Sequence, residues 1–497
     1  LWRCIALMQL NFADFSVVVV FFLLMLGIGV WAYFKNRNVE DYFVAGGQLP
    51  WWLSGISHHV SGYSGALFVA HAGIAYTYGF TIYVWWAVGV GSMVLLFAGV
   101  FPVLWMRLRR EFQIQSPLEY LVDRYDLRTQ QIMAWAGVVL KLFDVGAKWA
   151  AIGVLLNVFT GIPFMWGVFL AGGVSLVYIT FGGLWAVILT DFAQFLVQLV
   201  AGVVLFVAVI LYFDGWSGWV ASWQELPDGN RQLFNEPYTA GFALAFLLIN
   251  MLSYNGGTWN LATRYISASS ESHARNAAIL SGCLFVFWPL VLYVPMWAAP
   301  LILPGLEQPD QAYGLLTLKL LPVGLVGLVL ASLFASTMSM TSSDVNTVSA
   351  VITRDILPNL AKRFRDKRRS LKAARITTFV FTLLTLLVAL QYEYFGGVIG
   401  LIISWFGALI GPTAIPMLFG LLPIFRHCGP ASALASIGFG FATFIITKVY
   451  PPPTLGWEVG LPVTVAAIAY IGVGWLQRKR PVNPRALSML KAINPKM

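Results

Sequence analysis

The sequence predicts an all-α integral membrane protein whose chain crosses the bilayer about thirteen times. Of its 497 residues, 59% are hydrophobic and 10% are charged, whereas soluble domains carry about 25% charged residues. Apolar runs of about 20 residues, long enough for a helix to cross the hydrocarbon core, recur from Asp14 onward. The sequence contains none of the ten-residue alternating segments that are typical of a transmembrane barrel.

The apolar runs divide the chain into six parts. The residues before Met8 do not form a convincing signal peptide, and we interpret them as part of an extension. We expect an N-terminal extension (1–13), a peripheral span (14–34), a first group of five spans (50–213), a second group of five spans (240–422), two further peripheral spans (429–477) and a basic tail (478–497).

Positive charge is distributed asymmetrically between the loops. Most of the 31 basic residues fall in alternate loops and in the tail, and Arg264 and Arg275 belong to one of these loops. Because loops rich in Lys and Arg stay in the cytoplasm, we expect a plasma-membrane protein with its N-terminus outside and its C-terminus in the cytoplasm. This asymmetry explains the net charge of +10 without a nucleic-acid partner. The basic run from Lys362 to Lys372 is also a candidate surface for anionic lipid.

Two of the predicted spans are interrupted by polar residues and glycines. The first interruption, SHHVSGYSG, runs from Ser57 to Gly65, and the second lies in INMLSYNGGTWNLATRY at Asn255, Gly256 and Gly257. They occur five spans apart, and paired interruptions of this kind are typical of transporters built from inverted repeats. Helix packing through glycine is the alternative for either one taken alone. The pair predicts a binding site near the middle of the bilayer.

Oxygen ligands that suit a sodium ion are concentrated in the ninth span. Ser339, Ser342, Ser343 and Asn346 recur at three and four residues and share one helical face. The sixth span begins with Asp191, and a carboxylate in the membrane needs a partner, which a cation would supply. Hydroxyls in membrane helices often bond to their own backbone, so each one taken singly has a structural alternative.

The same stretches resemble a known family. YITFGGLWAVILTDFAQ (178–194), the SHHVSGYSG interruption and ASTMSMTSSDVNTVSAVITRDI (335–356) are similar to the sodium/solute symporters, whose members have a LeuT-type fold. The likeness extends from Asp14 to about Arg478. It implies a 5+5 inverted repeat with broken first and sixth core helices. It also implies sodium-coupled symport of a small polar organic solute, such as a sugar, a sialic acid, an amino acid or a carboxylate, by alternating access.

The resemblance implies one sodium site at the first interruption. In the family, two main-chain carbonyls there act together with oxygens of the eighth core helix. Met340 departs from the family pattern, because a thioether is a poor ligand for a hard cation. The matching positions in this chain are Val60, Tyr63, Ser336, Ser339 and Met340.

A second sodium is implied by the likeness to sialic acid carriers. Some of these relatives hold an additional ion through an aspartate and three serines. The same set is present here as Asp191, Ser339, Ser342 and Ser343.

The solute cannot be identified by the resemblance. Sodium/galactose relatives have Gln and Glu where this chain has Leu67 and Trp86, and sialic acid relatives have Arg where it has Asp144. Proline relatives share Ser64 but have Asp in place of Gly62. The expected solute contacts are Ser61, Ser64, Leu67, Trp86, Asp144, Asn255, Trp259, Asn260 and Ser404.

Three charged residues lie together within one predicted span. Lys141, Asp144 and Lys148 are spaced three and four residues apart and share a helical face. An ion pair between Asp144 and Lys148 would offset part of the cost of burying both charges. The alternative is that Asp144 accepts hydrogen bonds from solute hydroxyls or an amine.

The sequence also has features relevant to functions other than symport with sodium. His58, His59 and His71 suggest proton coupling as an alternative, since histidine titrates near neutrality. A membrane sensor with a transporter fold would need a signalling domain, and the tail after Arg478 is short. We expect no enzyme, because no nucleophile, base and orienting residue form a set. The three cysteines lack metal-ligand spacing.

Overall fold

The computed structural model describes residues 10–35, 38–65, 67–361, 367–395 and 406–495. The described residues form helices and loops, and their β structure is limited to two isolated bridges, Leu49 with Ala268 and Asn235 with Tyr238. The expected solute contact Ser404 lies outside the described residues, as do residues 1–9 of the extension and the first part of the basic run that begins at Lys362.

Ten α-helices occupy the described residues before residue 240. They are α1 (Phe12–Lys35), α2 (Val39–Val44), α3 (Trp51–Val60), α4 (Ala72–Tyr78), α5 (Gly89–Leu96), α6 (Phe101–Phe112), α7 (Leu121–Arg124), α8 (Leu127–Thr160), α9 (Phe164–Tyr212) and α10 (Trp216–Ser222).

Eleven α-helices follow in the described residues from 240 to 493. They are α11 (Ala240–Leu252), α12 (Asn260–Ile266), α13 (Glu271–Ile302), α14 (Ala312–Leu320), α15 (Leu325–Val351), α16 (Leu357–Leu360), α17 (Lys367–Ala389), α18 (Ile415–Phe419), α19 (Pro430–Val449), α20 (Leu455–Leu476) and α21 (Pro484–Ile493).

Local chemistry sets the ends of the long helix α8. The Asp126 carboxylate caps its first turn by accepting a hydrogen bond from the Thr129 amide. The helix ends at Gly161, whose left-handed φ of 68° is readily adopted by glycine. These caps bound a helix of 34 residues, which spans about 51 Å at 1.5 Å per residue.

Helix α9 is bent at one glycine. It contains 49 residues, so it is about 74 Å long, more than twice the thickness of a hydrocarbon core of about 30 Å. Gly183 has a φ of 53° and a ψ of −151°, and an added Cβ would overlap Tyr42. The element is therefore long enough for two spans, with the change of direction at Gly183.

Both predicted interruptions are present. The first separates α3 from α4 and includes an irregular segment (61–65) and a π-helical turn, Leu67–His71. The second separates α11 from α12 and consists of a π-helical turn, Ser253–Gly257, in which Gly256 has a φ of 117°. Each interruption exposes backbone groups that an unbroken helix would use internally.

The predicted number of spans is not confirmed by helix length and apolarity. Within the described residues, eight helices are long and apolar enough to cross a membrane, and the bent pair Tyr83–Leu96 and Phe101–Phe112 gives a ninth. The first broken span is divided between α3 and α4, each of which is too short to cross a membrane alone, so it is not counted in this way. The structure confirms a polytopic helical membrane protein, and the boundaries of the two five-span groups stay a prediction.

Helix α15 lies at the centre of the bundle. It packs against α1, α8, α9 and α17, and almost every residue from Val326 to Val351 is buried. A Cβ at Gly327 would overlap the backbone of Asp14, so α15 and α1 approach closely there. The polar face predicted for the ninth span is thus surrounded by protein, where its hydroxyls need partners.

Candidate ion and solute site

The irregular segment of the first interruption lies directly against α15. The Gly65 amide donates to Thr337 Oγ1 at 3.0 Å, and a Cβ at Gly65 would overlap that hydroxyl. Ser61 Oγ lies 2.8 Å from Ser343 Oγ and 3.4 Å from Ser339 Oγ. The fold therefore brings the two sequence stretches expected to hold sodium into contact.

Ser336, the residue before Thr337 in α15, has an unused side-chain oxygen. Its hydroxyl is fully buried and has no hydrogen-bond partner among the described residues. A buried hydroxyl without a partner is costly unless another group, such as a cation, binds it. Two carbonyls of the irregular segment are already used, because Gly62 O accepts from Tyr254 Oη at 2.9 Å and Ser61 O from Asn260 Nδ2 at 3.3 Å.

The other predicted ligands of the first sodium differ in how well they suit a cation. Val60 and Tyr63 are buried at the end of α3 and in the irregular segment. The Ser339 hydroxyl donates to Asp191 Oδ1 at 2.6 Å. Met340, the next residue of α15, is 9% exposed and has a thioether side chain. The carbonyls and Ser336 suit a hard cation, whereas Met340 does not.

Asp191 is at the centre of a buried polar cluster. Its Oδ2 accepts hydrogen bonds from Ser57 Oγ at 2.5 Å, Ser61 Oγ at 3.2 Å and Arg264 Nη2 at 3.0 Å. Its Oδ1 accepts from Ser339 Oγ. The Asp191 and Arg264 side chains are both 0% exposed. The cation next to Asp191 is therefore a guanidinium supplied by the protein.

Arg264 corrects one expectation from the sequence. The charge pattern placed it in a loop, whereas it lies in α12 and is fully buried. Its Nε donates to Ser57 Oγ at 3.0 Å, its Nη1 donates to Asn260 O at 3.2 Å, and its Nη2 contacts Ser343 Oγ. The guanidinium thus joins α12 to α3, α9 and α15.

Two serines of the predicted second sodium site bond to their own helix. Ser342 Oγ donates to Ser339 O at 3.0 Å, and Ser343 Oγ donates to the same carbonyl at 2.8 Å. These bonds leave hydroxyl lone pairs available, so they are compatible with a cation ligand. Asp191, Ser339 and Ser343 are gathered at one place, with Arg264 among them, whereas the described hydrogen bond of Ser342 stays within its own helix.

Four charged side chains form a closed ring between α8 and α15. Lys141 Nζ lies 3.0 Å from Asp144 Oδ2 and 2.6 Å from Asp344 Oδ1. Lys148 Nζ lies 2.8 Å from Asp144 Oδ2 and 2.5 Å from Asp344 Oδ2. All four side chains are at most 5% exposed. We call these residues the charge ring; its net charge is zero, which offsets much of the cost of burial.

The contacts in the charge ring distinguish the two roles expected for Asp144, an ion pair with Lys148 and a solute contact. The ion pair expected between Asp144 and Lys148 is present, and Lys141 contacts the same carboxylate oxygen. This carboxylate faces two ammonium groups of the protein, and the geometry does not support the expected solute contact. Asp344 of α15 closes the ring by contacting both lysines.

A cavity of about 220 Å³ lies among the two broken spans, α19 and α20. Its walls include His71, Trp85, Trp86, Phe242 and Tyr254, and we call it the aromatic cavity. Trp86 is the one expected solute contact, among those the structure describes, that lines it. Aromatic walls with a few polar groups are typical of solute pockets.

The two asparagines expected to contact solute are oriented toward the backbone. Asn255 Nδ2 donates to Met251 O at 2.9 Å, and Asn260 Nδ2 donates to Ser61 O. The side-chain oxygens of both asparagines are buried without a partner among the described residues. Each therefore has one acceptor still available.

Three other expected contacts are buried near the interruptions. Trp259 is fully buried with a φ of 72°, and a Cβ at Gly137 would overlap its indole ring. Ser64 and Leu67 are buried in and just after the irregular segment. None of these three lies on the walls described for the aromatic cavity.

The histidines serve different structural roles. His58 is engaged at both ring nitrogens, with Ser281 Oγ at 2.7 Å and Tyr265 Oη at 2.8 Å. His71 Nδ1 lies 2.9 Å from Tyr293 Oη on the wall of the aromatic cavity. The ring nitrogens of His59 are buried with no partner among the described residues.

Comparison with known proteins establishes the family of this fold and site. The sequence model of the sodium:solute symporter family matches residues 42–436, which is most of the chain. The chain belongs to the sodium:solute symporter family. It is accordingly a sodium-coupled secondary transporter of the membrane and not an enzyme.

The likeness of this sodium:solute symporter to individual relatives is low in sequence identity but extends over most of the chain. A sodium/glucose cotransporter of Vibrio parahaemolyticus is 26% identical over 416 residues, which cover 76% of this chain and 75% of the relative. A sodium/sialic acid symporter of Proteus mirabilis is 25% identical over 461 residues, covering 86% and 89%. A solved structure of a Na⁺-coupled sialic acid symporter in a substrate-bound outward-open state matches with a TM-score of 0.81 at 20% identity, covering 95% of this chain and 99% of that one. The last likeness shows the fold, which is of the LeuT type.

Proposed function

We propose that this symporter couples sodium entry to the uptake of a small polar organic solute across the plasma membrane, with its N-terminus outside. The proposed solute is a sugar, a sialic acid-like compound, an amino acid or a carboxylate. Relatives named for glucose and sialic acid support the first two. The concentration of Lys and Arg in alternate loops supports the orientation.

The assignment of the first sodium site rests on one observation. The irregular segment bonds to α15 through Gly65 and Thr337, and the neighbouring Ser336 hydroxyl is buried without a partner among the described residues. Carbonyls of Val60 and Tyr63 with the hydroxyls of Ser336 and Ser339 would supply the oxygens. Met340 would supply none, so we expect a weak site.

A second sodium would have to compete with an arginine. Asp191, Ser339, Ser342 and Ser343 could hold an ion, but Arg264 already contacts Asp191 Oδ2. We therefore assign this position to a sodium that binds when the guanidinium moves away during transport. In the arrangement described here, Arg264 neutralises Asp191.

The aromatic cavity is the proposed route and pocket for the solute. Trp86 and Tyr254 lie on its wall, and Tyr254 Oη also donates to Gly62 O in the first interruption. This contact links the pocket wall to the segment that would hold sodium. Ion binding at the segment would thereby favour the pocket geometry that binds solute.

A ligand screen tests this function. Purified protein would be heated with sugars, sialic acids, amino acids and monocarboxylates, in sodium and in potassium, and the midpoint of unfolding recorded. We expect a solute that stabilises the protein in sodium and less in potassium, followed by sodium-driven uptake of that solute into proteoliposomes. Stabilisation and uptake that are equal in both salts would contradict the coupling.

A further inference from the structure

A second cavity, of about 150 Å³, lies where the turn before α19 meets the C-terminal segment. Three arginines, one histidine and two side-chain amides line it, and the described lining residues include no acidic side chain. We call it the basic cavity. The residues that define it are Arg124, Arg426, His427, Gln477, Arg480 and Asn483.

Arg124 gives the cavity a fixed positive charge. The side chain is buried, and its three nitrogens donate to Gly420 O at 2.6 Å, Cys428 O at 3.0 Å and Phe425 O at 2.7 Å. These bonds hold the turn from 420 to 428 in place. They involve neutral carbonyls, so they leave the charge of the guanidinium uncompensated.

Arg426 and Arg480 differ from Arg124 because both are exposed. Neither forms an ion pair with a carboxylate of the described residues, and the described contact of the Arg426 guanidinium is with His427 Nε2 at 3.3 Å. Three guanidinium groups therefore converge on a small space whose described walls contain no carboxylate. A bound anion would relieve their repulsion.

The starts of two helices lie in the same walls. Gly429 and Pro430 are the N-cap and first residue of α19, and Asn483 and Ala486 belong to the beginning of α21. Helix N-termini carry partial positive charge, which favours phosphate and carboxylate groups. Here that charge acts without a free amide at the first turn position, because Pro430 and Pro484 have no N–H and the Arg485 amide donates to Asn483 Oδ1. The two helix starts and the three arginines thus favour the same kind of ligand.

Exposed apolar side chains beside the cavity indicate where the ligand comes from. Leu476, which precedes the lining residue Gln477, is 73% exposed, and Ile424 in the turn is 79% exposed. Trp475 is also exposed and stacks with the Arg478 guanidinium at 4.6 Å, as aromatic and basic residues do at the membrane interface. An anion that also carries apolar chains would contact both surfaces.

We propose that the basic cavity binds the phosphate group of an anionic phospholipid, whose acyl chains lie along the apolar residues next to it. The bound phosphate bridges Arg124, Arg426 and Arg480, which belong to three separate segments of the chain. Lipid binding at this place stabilises the docking of the C-terminal segment. That segment is otherwise held by contacts such as Arg107 Nη1 to Ile493 O at 2.9 Å.

The test compares lipid binding by the full chain and two double variants. Arg426→Ala with Arg480→Ala removes two charges from the cavity, and Lys479→Ala with Lys491→Ala removes two exposed charges outside its walls. Each protein is placed in nanodiscs of phosphatidylcholine with increasing phosphatidylglycerol, and the midpoint of thermal unfolding is measured. Midpoints in pure phosphatidylcholine verify that each variant is folded.

We expect phosphatidylglycerol to stabilise the native protein and the control variant. In the cavity variant we expect the apparent affinity to fall about tenfold or more, since each lost charge-assisted hydrogen bond is worth about a factor of ten. Equal losses in both variants would indicate diffuse surface attraction and would overturn the proposal. The absence of any phosphatidylglycerol effect in the native protein would overturn it as well.

A second arm separates lipid from free phosphate. Inorganic phosphate is titrated against the native protein and the cavity variant in phosphatidylcholine nanodiscs, at constant ionic strength. Little stabilisation by phosphate, with strong stabilisation by phosphatidylglycerol, supports the lipid. Full stabilisation by inorganic phosphate that is lost in the cavity variant would reject the lipid as the specific occupant.

Discussion

Arg264 Nη2 lies 3.0 Å from Asp191 Oδ2, and neither side chain is exposed to solvent. The pair connects α12, the helix after the second interruption, to α9. Ser57 of α3 and Ser343 of α15 contact the same guanidinium. Sodium at Asp191 would have to share or replace these contacts, so its binding would be coupled to the relative positions of four helices.

Replacing Arg264 by alanine should destabilise the protein. The Asp191 carboxylate would be left buried without its cation, and breaking a buried pair from one side costs about 3–5 kcal/mol. Thermal or denaturant unfolding in potassium salt measures the loss. Because sodium would replace the missing cation, we expect sodium to stabilise Arg264→Ala more than the native protein.

A double variant separates these effects. Arg264→Ala with Asp191→Asn removes both charges, so we expect it to be more stable in potassium than Arg264→Ala alone and to lose the additional response to sodium. If Arg264→Ala unfolds like the native protein and responds equally to sodium, the pair has no role in ion binding.

The charge ring should behave as a coupled unit. Asp344→Asn leaves Lys141 and Lys148 with one carboxylate between them, so we expect lower stability. Lys148→Met combined with Asp344→Asn keeps the remaining charges balanced and should lose less than the sum of the two single changes, with a coupling of about 1–3 kcal/mol. Unfolding midpoints of the two single variants and the double variant measure the coupling.

A partly exposed ion pair on the wall of the aromatic cavity provides the matched control for stability. Lys448 Nζ lies 2.8 Å from Glu458 Oε1, and the two side chains are 38% and 26% exposed. Lys448→Met should therefore cost less than about 1 kcal/mol. Comparable losses for Lys448→Met and Asp344→Asn would mean that the charge ring contributes no more than a surface pair.

The interruptions and the polar ninth span could be predicted because their signals are local. Glycines and hydroxyls within an apolar run change the backbone or need partners wherever the run is placed. The partners themselves could not be predicted. Asp191 and Arg264 are 73 residues apart, and Lys141 and Asp344 are 203 apart. A basic residue at the end of a span looks the same in the sequence whether it faces water or a buried carboxylate.

Gly65 should not tolerate a side chain. A Cβ there would overlap Thr337 Oγ1, so Gly65→Ala should push the irregular segment away from α15 and weaken sodium binding. Adding Thr337→Ala removes the overlapping hydroxyl and should restore part of the binding. Sodium titration of intrinsic tryptophan fluorescence measures both effects. A double variant that is as weak as Gly65→Ala alone would show that the overlap is not the cause.

The first sodium site can be changed in both directions. Ser336→Ala removes an unpartnered buried hydroxyl and should raise the sodium concentration for half-maximal binding about tenfold, roughly the worth of one oxygen contact to a charge. Met340→Ser replaces a thioether by a hard oxygen and should lower that concentration. Ser332→Ala is the control, because Ser332 Oγ donates to Val329 O of its own helix at 2.7 Å, and it should leave sodium binding unchanged. Sodium titrations of the three variants decide the assignment. If Ser336→Ala binds sodium as well as Ser332→Ala does, the ion does not bind at Ser336. If Met340→Ser also leaves sodium binding unchanged, the sodium site lies elsewhere in the bundle.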